Sequence, residues 1–375
     1  MRYELIDTQE KFLQAQTQIS SSKYLGIDTE SDSLYSYYEK LCLVQIACEH
    51  KIYLLDSLVL DLSCLKEIFE NPDIRKIFHS ADSDIPLIKT KISCEFSNIF
   101  DVMMAAKYLG IERCGLNNLI EKYFAVKLNK KYQKADWGYR PIKEEMLEYA
   151  AMDVYYLKKL KDIFIPELKK TGLFEEFMIH CEQFSALPPK RSEFNPQAWL
   201  NLPGARNIPW PYSACLKELW TEREKTAQKK DIPPFKIMTN ETLISLAREP
   251  QKALKDLKSF KGISEYVMSK HEDWIKKAII KGLNSFPEEK HTTRRKEKSD
   301  FEKTKKIFDF LREWRKNKAK ERKLFPELIL TNEILWKIAY KNKPSRQELA
   351  QIIKNGHKAD LYAEELAEKL ALFGD

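Results

Sequence analysis

Two carboxylates one residue apart close the segment Tyr24-Leu25-Gly26-Ile27-Asp28-Thr29-Glu30, which is apolar as far as Ile27. Read as a strand, it turns Asp28 and Glu30 to one face and Thr29 to the other. Like charges side by side repel unless a cation lies between them. Mg²⁺ or Mn²⁺ meets that need, because hard cations take oxygen ligands. An isolated D-x-E is more often a solvated strand end, so the pair gains weight only from further acids. Asp84 supplies one, five residues after His79. Tyr149 and Asp153 supply another, at i and i+4 on one face of a helix, where both can reach the same water.

The elements that must position these groups follow from hydrophobic pattern. Residues 9–20 read as an amphipathic helix. Leu41–Ala47 and Ile52–Asp56 read as strands joined by a tight polar turn, so with the Asp28 strand they predict an antiparallel meander. A helix is expected over Leu62–Glu70, a strand over Ile74–Phe78, and a helix carrying Asp84, capped by Ser80 or Asp82. Phe96–Phe100 reads as a strand and Asp101 as the cap of the next helix. Leu116–Tyr123 reads as a helix, Lys130–Pro141 as a polar aromatic loop, Lys143–Leu160 as one long helix and Pro166–Phe184 as another. This order predicts an α/β fold, a mixed sheet covered by helices, with ligands at strand ends.

Composition narrows the class. The chain has 375 residues and 43% apolar content, enough for two or three cores. No apolar run nears the ~18 residues of a membrane span, and the N-terminus lacks the features of a signal peptide. Seven cysteines without a C-x-x-C pair read as reduced core residues with no zinc site, so a cytoplasmic protein is expected. Residues 1–185 hold 24 Lys+Arg against 29 Asp+Glu, whereas residues 186–375 hold 40 against 27. A basic back half suggests a polyanion partner held there.

Prolines at 188, 189, 196, 203, 209 and 211 mark a linker, whose Trp199, Leu200, Leu202 and Trp210 call for burial. Beyond it the pattern is helical and repeats. Thr239-Asn240-Glu241 recurs as Thr331-Asn332-Glu333, 92 residues on, and Arg223, Pro234, Ile237 and Leu243 keep the same register with Arg315, Pro326, Ile329 and Leu335. Both threonines read as N-caps. The predicted division is therefore a sheet domain over 1–185, a linker over 186–212, one helical module over 213–285, a charged flexible linker over 286–300 and a divergent second module over 301–375.

Taken together, D-x-E, H-x-x-x-x-D and Y-x-x-x-D resemble the three motifs of the DEDDy 3′–5′ exonuclease superfamily. LCLVQIA, KIFHSADSD, FDVMMAAKYLG, KKYQKADWGYRP and LEYAAMDVYYL resemble the ribonuclease D family and its exosome-associated relatives. The repeats resemble HRDC domains, and two in tandem favour the bacterial branch. The resemblance implies a ribonuclease H-like exonuclease domain and two divalent ions, Mg²⁺ or Mn²⁺. It implies that Asp28 bridges both ions, that Glu30 and Asp153 hold the ion nearer the attacking water, and that Asp84 acts largely through bound water or supports the second. Tyr149 then orients that water, since a phenol of pKa ~10 is a poor base at neutral pH. The implied substrate is RNA with a free 3′ end, such as a tRNA precursor, acted on by a monomer. A DNA exonuclease and a non-catalytic RNA-binding protein are the alternatives. Lesser substrate-binding candidates are Thr29, Gln45, His79, Gln133, Trp137 and Arg140.

Overall fold

The computed structural model describes residues 2–49, 51–190, 194–285 and 295–373. Strands β1 (Tyr3–Ile6), β2 (Tyr24–Ser31), β3 (Leu41–Ala47), β4 (Ile52–Asp56), β5 (Arg75–Phe78) and β6 (Ile99–Asp101) form one sheet in the order β1-β4-β3-β2-β5-β6. β2, β3 and β4 are the antiparallel meander; β5 and β6 add parallel on one side and β1 pairs parallel with β4 on the other. β3 is buried from Leu41 through Ile46, which explains its near-continuous apolar run. β1 lies outside the elements predicted from the sequence, because its three half-buried residues and single buried Ile6 carry little period-2 signal.

Helices α1 (Gln9–Ser20), α2 (Leu65–Glu70), α3 (Ala81–Lys91), α4 (Val102–Tyr108), α5 (Leu116–Phe124), α6 (Glu144–Tyr155), α7 (Leu157–Lys170) and α8 (Phe174–Glu182) accompany the sheet. Several boundaries differ from expectation. The long helix over 143–160 breaks at Tyr156. Pro166 lies inside α7, and the chain turns only at Gly172, whose φ of 72° suits glycine. β6 begins at Ile99 because Asn98 takes φ 52°, which no strand residue can hold. Ser80 occupies the N-cap position of α3 but its side chain does not cap the helix. Ser80 is left-handed and donates to Asp82, while Asp101 accepts from the Ala81 amide at 2.6 Å and from the Met104 amide at 2.7 Å. One carboxylate thus holds the N-termini of α3 and α4 together.

The helical half comprises α9 (Ser213–Lys229), α10 (Pro234–Ile237), α11 (Asn240–Arg248), α12 (Pro250–Lys255) and α13 (Glu265–Asn284), then α14 (Arg295–Arg322), α15 (Pro326–Ile329), α16 (Asn332–Lys341), α17 (Arg346–Ile353) and α18 (Gly356–Leu372). The repeat is structural. Thr239 and Thr331 cap α11 and α16, and Arg223 and Arg315 each donate to the carbonyl fifteen residues on, Met238 and Leu330. Of the charged linker expected over 286–300, residues 286–294 lie outside the described residues. Residues 295–300 open α14, as their lysines, arginine and glutamate favour helix.

The two modules attach differently. The first has its own core, against which Trp199 and Leu202 pack. It grips the loop after β2: Tyr37 donates to Glu224 at 3.0 Å and, through its amide, to Asp231 at 3.1 Å, and Lys40 pairs with Asp231 at 3.0 Å. The buried apolar side chains of the second module run without a break into those of the sheet domain. Across that seam Arg322 of α14 meets Glu176 of α8 at 2.6 Å, with Glu176 5% exposed. No helix among the described residues is long and apolar enough to cross a membrane.

Arg322 is half-buried and would lose the carboxylate that accepts two of its hydrogen bonds, so Glu176→Gln should lower stability by about 1–3 kcal/mol. Glu176→Gln combined with Arg322→Met should recover part of that loss. Urea unfolding of the wild type and both variants measures it; equal midpoints in all three would show that the pair contributes nothing.

Candidate active site

The site forms where helices from both faces of the sheet reach the C-terminal end of β2. On one face, Gly26 lies under the α6–α7 junction: a Cβ there would stand 3.2 Å from the Val154 carbonyl and 3.5 Å from the Leu157 Cβ. The missing side chain lets that junction lie on the strand. Asp28 and Glu30 share the face of Gly26 by alternation, and α6 brings Tyr149 and Asp153 to them. From the other face Thr29, pointing away from its neighbours, donates its hydroxyl to Asp84 of α3 at 2.5 Å. Thr29 is therefore a tether for Asp84.

The electrostatics are one-signed. Among the described residues, no Lys, Arg or His pairs with Asp28, Glu30, Asp84 or Asp153. Asp84 and Asp153 are 4% and 7% exposed. Burial pushes the Asp28 carboxyl up to about 7. Burial and then the charges of Asp28, Asp153 and Asp84 raise Glu30 well above the usual range. Asp84 and Asp153 are raised by burial and by Asp28, with the Thr29 and Tyr149 hydroxyls pulling the other way. The phenol of Tyr149 is raised by burial and by Asp153, Glu30 and Asp28, so it stays protonated at neutral pH and donates to Asp153. These mutual effects reflect the closeness of the five residues at the end of β2.

The remaining candidates divide. Gln45 stands directly opposite Asp28 in the β2–β3 register, fully buried, and neither its amide oxygen nor its nitrogen has a hydrogen-bond partner. Trp137 is 1% exposed with its ring 6.2 Å from that of Tyr149. It is packed beneath the tyrosine and is not a stacking platform for a base. Arg140 cannot bind phosphate without breaking existing bonds. Its Nε and Nη2 donate to Asp56 at 2.6 and 2.7 Å, Nη2 also to the Cys42 carbonyl at 3.0 Å, and Nη1 to the Trp137 and Tyr139 carbonyls at 2.6 and 2.9 Å. All five donors are used. Arg140 and Asp56 instead lock the 130–141 loop onto the meander, a clamp foreshadowed only by the acid that ends IYLLD. His79 Nε2 bonds the Cys114 carbonyl at 2.8 Å, so it ties β5 to the loop before α5. Gln133 is exposed on its loop.

Among the described residues, no three acid, His or Cys side chains close on one point as a finished metal cage. The donors nevertheless suit a hard divalent cation: only oxygens, largely desolvated, without a counter-charge, and with the orphaned Gln45 amide beside the central one. An uncompensated cluster of this kind invites cations.

Such a sheet, with acids at a strand end and paired helical modules behind it, defines a 3′–5′ exonuclease carrying HRDC domains. A 3′–5′ exonuclease family model matches residues 3–169, and the HRDC model matches twice, at 213–278 and 304–370. A ribonuclease D from Sphingobium indicum is 32% identical over 69% of this chain and 68% of its own length. The exosome complex exonuclease RRP6 of Saccharomyces cerevisiae is 29% identical over 70% of this chain but only 38% of its own. The crystal structure of Escherichia coli RNase D superposes over the full length of both chains with a TM-score of 0.71 at 23% identity, a likeness of fold. The chain belongs to the ribonuclease D family and is a 3′–5′ exoribonuclease. Enzymes of this exonuclease family typically use divalent metals.

The raised carboxyl of Asp28 makes stability depend on pH. Between 3.8 and about 7 the folded state holds a proton that the unfolded state has lost. Its stabilisation is full below the unfolded value and disappears as pH rises through about 7. In EDTA the melting temperature should therefore fall from pH 5 to pH 8 more steeply in the wild type than in Asp28→Asn. Added Mg²⁺ should restore more at pH 8 than at pH 5. Parallel pH profiles for the two proteins in EDTA would contradict this account of Asp28.

Proposed function

We propose that this chain trims the 3′ ends of structured RNA, tRNA precursors among them, by two-metal-ion hydrolysis that releases nucleoside 5′-monophosphates. The observation that carries the reading is the gathering of Asp28, Glu30, Asp84, Asp153 and Tyr149 around one strand end without a basic partner. Asp28, Glu30, Asp84 and Asp153 would hold two divalent ions, Mg²⁺ or Mn²⁺, with Asp28 shared. When bound, the ions supply a nucleophile at neutral pH and stabilise charge on the leaving oxygen.

The chain's own residues do the rest. Tyr149, protonated and braced by Trp137, orients the attacking water while its hydroxyl is held by Asp153. Thr29 fixes Asp84, and Asp101 fixes the helix that carries it. The basic helical half offers phosphate contacts that are independent of sequence. Gln133, exposed on the loop beside Tyr132, is retained as a substrate contact. We assign the protein to the cytoplasm as a monomer, with the exonuclease unit over 1–185 and HRDC modules over 213–285 and 301–375.

The test is degradation of end-labelled RNA and DNA hairpins with a free 3′ overhang, in Mg²⁺, Mn²⁺ and EDTA. Nucleoside 5′-monophosphates should appear from RNA with either metal and vanish with EDTA. Asp28→Asn should lower turnover by orders of magnitude while RNA is still bound. Tyr149→Phe should lower kcat with metal affinity nearly unchanged. Asp28→Asn trimming at the wild-type rate would sink the assignment, and equal losses of rate and metal affinity in Tyr149→Phe would make the tyrosine part of the scaffold.

A further inference from the structure

The oddest group in the sheet is the amide of Gln45. It sits mid-strand in β3, fully buried, between the apolar Val44 and Ile46, and both polar atoms lack a partner. A buried amide left unpaired costs on the order of 1–3 kcal/mol for each polar group. A leucine or methionine of similar size would fill the same volume without that cost. Folding therefore gives no reason for an amide here.

Its address supplies one. Gln45 pairs with Asp28 across β2 and β3, so the two side chains share a face with Cβ atoms about 4.5–5.5 Å apart. Ala47 and Gly26 are the next pair along that face, under the α6–α7 junction. The amide is thus walled in beside the central carboxylate of the site, within reach of it by rotation of its own side chain. Gln45 is also the sole uncharged side chain that presents orphaned polar atoms in the strand facing Asp28, among the described residues.

We infer that Gln45 is a positioning residue for Asp28. With Asp28 ionised as a ligand to a bound divalent ion, Gln45 Nε2–H would donate to a carboxylate oxygen of Asp28. The bond fixes the plane of the carboxylate and favours its ionised form, as second-shell donors do for metal ligands. The inference rests on the reading of Asp28 as a shared metal ligand.

The experiment compares wild type, Gln45→Met, Asp28→Asn and the double variant, in EDTA and across Mn²⁺ titrations followed by melting temperature, with RNA turnover measured alongside. Gln45→Met should melt in EDTA at or above the wild-type temperature, because two orphaned groups are gone. Its half-saturating Mn²⁺ concentration should rise about 10–100-fold, with kcat lower and KM for RNA within about threefold. On the Asp28→Asn background the same change should leave the Mn²⁺ response unaltered. A Gln45→Met protein with wild-type Mn²⁺ response overturns the inference. So does one that melts well below wild type in EDTA, since the amide would then serve folding. If Asp28→Asn itself keeps the full Mn²⁺ response, the ligand assignment fails instead, and the two failures are told apart.

Discussion

Like charge held together is the constraint on which this structure turns. Four carboxylates lie near the end of one strand, and the groups that lean on them are neutral: the Thr29 hydroxyl on Asp84, the Tyr149 hydroxyl on Asp153 and the Thr29 backbone amide on Asp28. Without a cation such a cluster pushes its own elements apart. Each element that carries an acid must therefore be anchored by something outside the cluster. β2 is central, flanked by β3 and β5. α3 is fastened through the Asp101 carboxylate to the start of α4. α6 continues through a slight break into α7, whose start packs on Gly26. The Arg140–Asp56 clamp holds the loop that packs Trp137 beneath Tyr149.

The helical modules show how one sequence repeat serves two ends. In both copies an arginine ties the first long helix to the turn ahead of a threonine cap. In the first copy Arg223 is also paired with its neighbour Glu224, which accepts from Tyr37 in the loop after β2. At the matching place in the second copy stands Lys316, and the Nε of Arg315 is left buried without a partner. The first module keeps its polar edge for the loop that follows the acid-bearing strand β2. The second has an apolar core continuous with that of the exonuclease domain and meets it beside α4 and α8.

Much of this was legible in the sequence, for identifiable reasons. Strands β2 to β4 were readable because their apolar runs are bounded by turn residues and acids. The acids and Tyr149 were readable because the spacing within a strand or helix fixes which side chains share a face. What escaped was set by distant partners. Nothing local says that Asp101 caps two helices, that Arg140 spends all five donors on its own scaffold, or that Trp137 lies beneath Tyr149. Loop residues with stacking and charged groups look the same whether they face substrate or core. Nor does any local pattern show a second module merging its core with the first domain, since its apolar face reads the same whatever covers it.

That merger has a consequence for how the protein is made. Glu176 and its guanidinium partner Arg322 lie 146 residues apart in the chain. At about 5–20 residues per second, the sheet domain leaves the ribosome roughly 7–30 s before the cation that neutralises its buried seam exists. Through that interval the apolar back of the sheet domain has no cover from its own chain. Helices synthesised well after the sheet domain thus complete a fold whose acid-bearing strand β2 emerged before them, and the nascent enzyme depends on a waiting period that the sheet domain cannot shorten.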